Sequence, residues 1–129
     1  MNIKWFTKDN TNSAVTVYNN NITLSKQAVN FFEDAYAVAV GIDIDKKNLV
    51  IKKYSKDDID QENSEHPDLH KISIKSSYGR INSKQLVNEI SEKINLDFKK
   101  QASYKFAARW NTGSKMLIVS TKEDEDYAK

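Results

Sequence analysis

At 129 residues, 39% apolar and 29% charged, the chain is long enough to bury one continuous core and too short for two independent domains. It contains no cysteine, which removes disulfide frameworks, thiolate nucleophiles and thiolate metal sites. The net charge of +2 averages an uneven distribution: residues 55–69 hold one lysine against six acids and 122–129 two lysines against four, whereas 70–121 hold ten cations against three acids. A positive segment flanked by acidic ones suits a polyanion partner, and equally suits a folded domain with solvated lysines and an acidic linker. No run reaches membrane-spanning length and the N-terminus lacks the apolar core of a signal peptide, so a cytoplasmic protein with no membrane partner is expected.

Residues 1–54 read as a first strand-helix-hairpin module. Trp5 and Phe6 precede its first strand and are candidates to dock on the core or on a partner. Val15 and Val17 alternate with Thr16 and Tyr18, Asn19-Asn20-Asn21 interrupts as a turn, and Ile22-Thr23-Leu24 extends again. Ser25 is a suitable N-cap for a short helix with Ala28, Phe31, Phe32 and Ala35 on one face. In the following strand Val38, Val40, Ile42 and Ile44 point one way and Ala37, Ala39, Gly41 and Asp43 the other, leaving one nearly flat face. Asp45-Lys46-Lys47-Asn48 is the expected hairpin loop and Leu49–Tyr54 the return strand.

Residues 55–69, with Pro67 and six acids, read as an acidic linker or exposed loop. His66 and His70 flank Asp68, but Pro67 disfavours the helical geometry that would align the two rings, so exposed histidines and no metal are expected.

Residues 70–121 form the second, basic strand-helix-hairpin module. Ile72 and Ile74 alternate with Lys71, Ser73 and Lys75; Ser76, Ser77 and Gly79 allow a turn; Arg80 and Ile81 extend; Ser83 is the second N-cap. Leu86, Val87, Ile90 and Ile94 define a helical stripe that Asn95 can end. Tyr104, Phe106, Ala108 and Trp110 share the inward parity of a strand whose other face carries Ser103, Lys105, Ala107 and Arg109. Asn111-Thr112-Gly113-Ser114 is the expected turn, with Gly113 taking a positive φ, and the apolar return strand, Met116 to Val119, is expected to be central. Residues 122–129 form an acidic tail.

The stretch from Ser25 to Asn30 returns as Ser83 to Asn88, 58 positions downstream, which implies a duplicated unit. The expected fold class is α+β: two strand-helix-hairpin repeats, with mostly antiparallel sheet, forming an intramolecular pseudo-dimer. Ile22-Thr23-Leu24-Ser25-Lys26-Gln27-Ala28 with Leu49-Val50-Ile51-Lys52-Lys53, and Gly79-Arg80-Ile81-Asn82-Ser83-Lys84 with its hairpin, resemble the swapped-hairpin transcription factors of the AbrB and MraZ type. The first copy departs from that pattern with Asn20-Asn21 in place of Gly79-Arg80, and both copies have serine where the family has proline before the helix. The resemblance implies two interlocked units, DNA as partner, and contacts from Arg80, Lys84 and Lys26.

Charge placement gives an overlapping set. Lys75, Arg80 and Lys84 gather at the strand-to-helix junction, and Lys105 and Arg109 project from the second hairpin, so these five are the expected phosphate-contacting face. The carboxylate pairs lie in turns and linkers without an apolar pocket, the serines are caps rather than nucleophiles, and no phosphate-cradling glycine loop is present. A non-catalytic DNA-binding or regulatory role without cofactor is expected. The alternative is a protein-interaction module using a sheet edge, the acidic segment or the flat Ala37-Ala39-Gly41 face.

Overall fold

The computed structural model of the chain describes residues 2–3, 13–60 and 66–121. Trp5 and Phe6, acids Glu62 and Glu65, and the acidic tail from residue 122 lie outside the described residues. Among the described residues there are nine strands: β1 (Ala14–Tyr18), β2 (Asn21–Ser25), β3 (Ala37–Asp43), β4 (Asn48–Tyr54), β5 (Leu69–His70), β6 (Ser73–Ile74), β7 (Tyr78–Asn82), β8 (Ser103–Asn111) and β9 (Met116–Val119). Three helices accompany them: α1 (Lys26–Val29, extended by a 3-10 turn at Asn30–Phe32), α2 (Lys56–Asp60) and α3 (Lys84–Ile94). The protein is thus a mostly antiparallel sheet with a few short helices.

All strand pairings are antiparallel, in the order β5-β3-β4-β9-β8-β1-β2-β7-β6. The two extremes of this order, β5 and β6, are separated by only Lys71 and Ile72. Laid flat, nine strands would hold their extremes about 38 Å apart, whereas three residue steps along a chain span at most about 11 Å. The sheet therefore curls until its two ends meet on one stretch of chain.

Curling gives every strand an inner and an outer face, and alternation decides which residue goes where. Val15 and Val17, Ile22 and Leu24, Leu49 and Ile51, and Leu117 and Val119 are all fully buried, and Phe106 and Trp110 pack against them. Each such aliphatic side chain contributes about 1.5–3 kcal/mol on burial, more than any single cap or surface pair here. Ser25 and Ser83 both cap as expected: their hydroxyls accept from Ala28 N–H (3.3 Å) and Leu86 N–H (3.1 Å). From α1, Ala28, Val29 and Phe32 enter the core, and from α3, Leu86, Val87 and Ile90. Asn95 closes α3 in the left-handed region, φ 60°.

Several expectations are corrected. Residues 55–69 are not all loop: Ser55 and Asp58 form a reciprocal cap, each accepting the other's backbone N–H, and start α2. Gly79 sits inside β7 rather than in a turn, and Gly113 has no positive φ; Lys47 and Lys115 take the left-handed positions of the two hairpin loops instead. Asx side chains explain this choice. Asp43 Oδ1 accepts from the N–H groups of Asp45 and Lys46, and Asn111 Oδ1 from that of Ser114, winding each loop tightly before its fourth residue must turn back. Ile44 consequently lies in a loop, 84% exposed, instead of on the inner face of β3. β9 is central, between β4 and β8, as expected.

At one place the backbone of a strand meets a helix side chain directly. A Cβ built on Gly79 would stand 2.4 Å from Val29 Cγ2, whereas one on Gly41 meets nothing within 4 Å. Elsewhere Phe31 stacks on Trp110 at 4.9 Å, Phe32 meets it edge-on at 5.4 Å, and Lys53 Nζ lies 5.7 Å from the Trp110 ring while donating to Asp34 at 2.8 Å.

Gly79→Ala should lower unfolding free energy by about 1–3 kcal/mol in urea melts, by forcing Val29 aside, and Gly41→Ala should be near neutral. The Gly79→Ala loss should shrink in a Val29→Ala background, a coupling read by a double-mutant cycle. The hydrogen bond from Lys53 holds the Asp34 carboxyl below its ordinary 3.8, helped by a backbone hydrogen bond and by the lysine's charge. A depressed carboxyl pKa stabilises above the unfolded-state value and that contribution is lost as pH falls through the folded one. Asp34→Asn should therefore cost less than about 1 kcal/mol near neutrality, as befits a pair whose carboxylate is exposed, with the difference from wild type shrinking in melts as pH falls below 3.8 and through the lowered folded-state pKa.

Candidate nucleic-acid interface

Strand register assembles the outer face residue by residue. Lys105 pairs with Thr16, Thr16 with Thr23, Thr23 with Arg80, and Arg80 with Ser73, so five adjacent strands line up one outward row. Lys105 and Arg80 stand three strand spacings apart along it, about 14 Å. One row over lie Ser103, Tyr18, Asn21 and Asn82; on the other side lie Ser25 and Tyr78. Lys75 joins this second side, its N–H donating to the Tyr78 carbonyl at 2.8 Å. Lys71, exposed, shares the outward parity of Ser73 and Lys75.

The electrostatic character of this face is one-sided. Strands β8, β1, β2, β7 and β6 contain Lys105, Arg109 and Arg80 and not one carboxylate. Among the described residues the one ion pair is Lys53 with Asp34, so Lys75, Arg80, Lys105 and Arg109 have no carboxylate holding them there. Arg80 is the most constrained of these cations. Its guanidinium lies 5.2 Å from the Tyr78 ring centroid, and its buried Nε has no hydrogen-bond partner among the described residues. A planar donor stacked on an aromatic ring keeps its remaining N–H groups oriented for a planar or tetrahedral oxyanion.

The six cations expected from sequence do not form one cluster. Lys75, Arg80 and Lys105 share the face just described. Arg109 is exposed on the same outer side of β8, two residue pairs further along, beside Ile118 of β9. Lys26 and Lys84 open α1 and α3, and these helices leave the sheet at opposite ends, because Ser25 pairs with Tyr78 and Asn82 with Asn21 in antiparallel strands. Lys84 is thereby about 13 Å of strand away from the Tyr78 end where Lys75 sits, so the grouping of Lys75 with Lys84 at one junction is not what the fold produces. Sequence reasoning passed over Tyr18, Tyr78, Thr16, Thr23 and Lys71. Their alternation opposite to Val15, Val17, Ile22 and Ile81 was legible, but not which strands adjoin.

Surfaces for the alternative reading look different. Ala37 and Ala39, two thirds of the flat face of β3, are only 5% exposed, and Gly41 alone is open. The sheet's terminal strands β5 and β6 are two residues each, which leaves little edge for strand addition. The aromatic stripe of β8 is turned to the core, with Phe106 and Trp110 packed against it and the Tyr104 hydroxyl donating to the Asp97 carbonyl at 2.9 Å. No helix among the described residues is long and apolar enough to cross a membrane. The chain matches no protein-family model, no curated protein and no solved structure.

Proposed function

We propose that the chain is a tandem duplication folded as an intramolecular pseudo-dimer, and that it binds nucleic-acid phosphates, without catalysis, through the outer face of β8, β1, β2, β7 and β6. The carrying observation is the row Lys105-Thr16-Thr23-Arg80-Ser73 on five strands that hold no carboxylate. Phosphate binding needs cations free of internal partners, and base or sugar contacts need neutral donors and acceptors between them.

Equivalent burial at constant offsets supports the duplication. Inward residues Val15, Val17, Ile22 and Leu24 correspond, 57 positions on, to Ile72, Ile74, Gly79 and Ile81. Helix residues Ala28, Val29 and Phe32 correspond, 58 positions on, to Leu86, Val87 and Ile90, which are the buried residues of α3. The change from 57 to 58 is one residue at the strand-to-helix junction: Ser25 both ends β2 and caps α1, whereas β7 ends at Asn82 and Ser83 caps α3. Aligning the serines alone would set inward Ile22 against outward Arg80, and the one-residue difference removes that mismatch. In the hairpins the offset is 68, relating Leu49 to Leu117, Asp43 to Asn111 and the left-handed Lys47 to Lys115.

Pairing follows the same relation. β2 pairs with β7 and β4 with β9, each strand beside its own counterpart, and β1 with β2 is matched by β6 with β7. The β8-β9 hairpin lies against β1 of the other module and the β3-β4 hairpin against the two-residue β5, pairings that support the swapped-hairpin reading. A fragment of residues 1–60 should accordingly show no cooperative unfolding as a monomer in sedimentation and circular dichroism. A monomeric fragment with a sharp transition would sink the pseudo-dimer.

For binding, full-length protein is titrated into labelled mixed-sequence DNA at 50 and 200 mM salt. Affinity should fall steeply between the two, and Arg80→Gln with Lys105→Gln should weaken it and reduce the log–log salt slope by about 2, one unit per lost phosphate contact. Lys26→Gln with Lys84→Gln, at opposite ends of the sheet, should have the smaller effect. Salt-independent or absent binding would replace this reading with the protein-interaction one.

A further inference from the structure

The cations of the interface come from one half of the chain and its neutral floor from the other. β1 and β2 contain no charged residue and present Thr16, Tyr18, Asn21 and Thr23 outward. On one side of this hairpin runs β8 with Lys105 and Arg109; on the other runs β7 with Arg80, followed by β6 and Lys75. Positions related by the duplication are unlike: Thr23 corresponds to Arg80, Tyr18 to Lys75, Ala37 to Lys105 and Gly41 to Arg109. A face whose two halves differ in this way does not present matched cations to the two antiparallel backbones of a palindromic duplex site. It has a direction.

Two aromatic rings belong to the same face. Tyr18 is 40% exposed beside the Ser103-Asn21 row, and Tyr78 lies diagonally across the cationic row, roughly 15 Å away by strand spacing and rise. Paired bases in a duplex are closed to rings on a sheet surface, whereas unpaired bases expose faces that stack on aromatic side chains. Resting on the phosphate-binding reading above, we infer that the ligand is a single-stranded nucleic acid, lying across β8, β1, β2 and β7 with a base stacked on Tyr18 and phosphates held by Lys105 and Arg80. Thr16, Thr23, Asn21 and Asn82 supply neutral hydrogen-bonding groups along the path, and the Arg80 guanidinium on Tyr78 forms the second support. Ribose and deoxyribose strands share the stacking and phosphate chemistry.

The test is fluorescence anisotropy on the full chain with a labelled 15-nucleotide DNA strand, the RNA strand of the same sequence, and the matched DNA duplex, each at 50 and 200 mM salt. One or both single strands should bind at least tenfold more tightly than the duplex, and the stronger of the two identifies the source. Tyr18→Ala should weaken single-strand binding by roughly 5- to 100-fold, the effect of losing one stacking platform, with the salt slope unchanged. Tyr18→Phe should restore it. Duplex binding equal to or tighter than single-strand binding, or wild-type affinity in Tyr18→Ala, overturns the inference while leaving the phosphate-binding reading in place. Absence of salt-sensitive binding to all three probes overturns both.

Discussion

The return of the sheet onto the segment Leu69–Ile74 is the constraint on which the rest of the molecule depends. Leu69 and His70 pair with β3, Ser73 and Ile74 pair with β7, and the two residues between them join what would be the far edges of a nine-stranded ladder. With the ends tied, the sheet must curve, and curvature divides every strand into a side that faces apolar neighbours and a side that faces water. A one-residue slip in any strand would exchange the two sides, so the inner Val, Ile and Leu residues fix the register and the register fixes the outer face. The outward row is in this sense a by-product of core packing. Lys105, Thr16, Thr23, Arg80 and Ser73 align because Phe106, Val15, Leu24 and Gly79, their neighbours in the chain, align beneath them.

Where β8 sits has the largest consequence for charge. It follows α3 in the chain, yet its partners are β9 and β1, so the second hairpin of the basic half is delivered against the first strand of the other half. That placement puts Lys105 and Arg109 on one flank of an uncharged hairpin and leaves Arg80 and Lys75 on the opposite flank. Had β8 returned beside β7, the same cations would crowd one edge. Repulsion among closely spaced like charges is avoided, and an uncharged strip two strands wide is left between.

The helices are short because little of the core is theirs to cover. α1 has a single regular turn, yet its Ala28 and Val29, with Phe32 of the following 3-10 turn, are buried, and Val29 approaches the backbone of β7 so closely that only glycine fits at position 79. Ser25 explains how so short a helix is held. Its hydroxyl accepts from Ala28 N–H and also from Ala14 N–H of β1 at 3.0 Å, tying the first turn to the sheet rather than relying on helical cooperativity. α3 lacks such a double tie but has eleven residues and a left-handed asparagine cap.

Local chemistry in the sequence was sufficient to determine the serine caps, the end of α3 at Asn95, the alternation of Val15 and Val17 with Thr16 and Tyr18, the inward parity of the β8 aromatics and the centrality of β9. Each depends on residues within a turn or a strand's length of one another, where sterics and hydrogen bonding leave few choices. The short helix α2 and the left-handed lysines at 47 and 115 were missed because Asx and Ser side chains, not glycine, decide those turns. Tertiary structure alone decided which strands are neighbours, and therefore that Lys26 and Lys84 stand at opposite ends while Lys75, Arg80 and Lys105 join Tyr18 and Tyr78. Adjacency of strands distant in sequence is set by how the whole apolar inventory can be enclosed at once, a property that no local stretch carries.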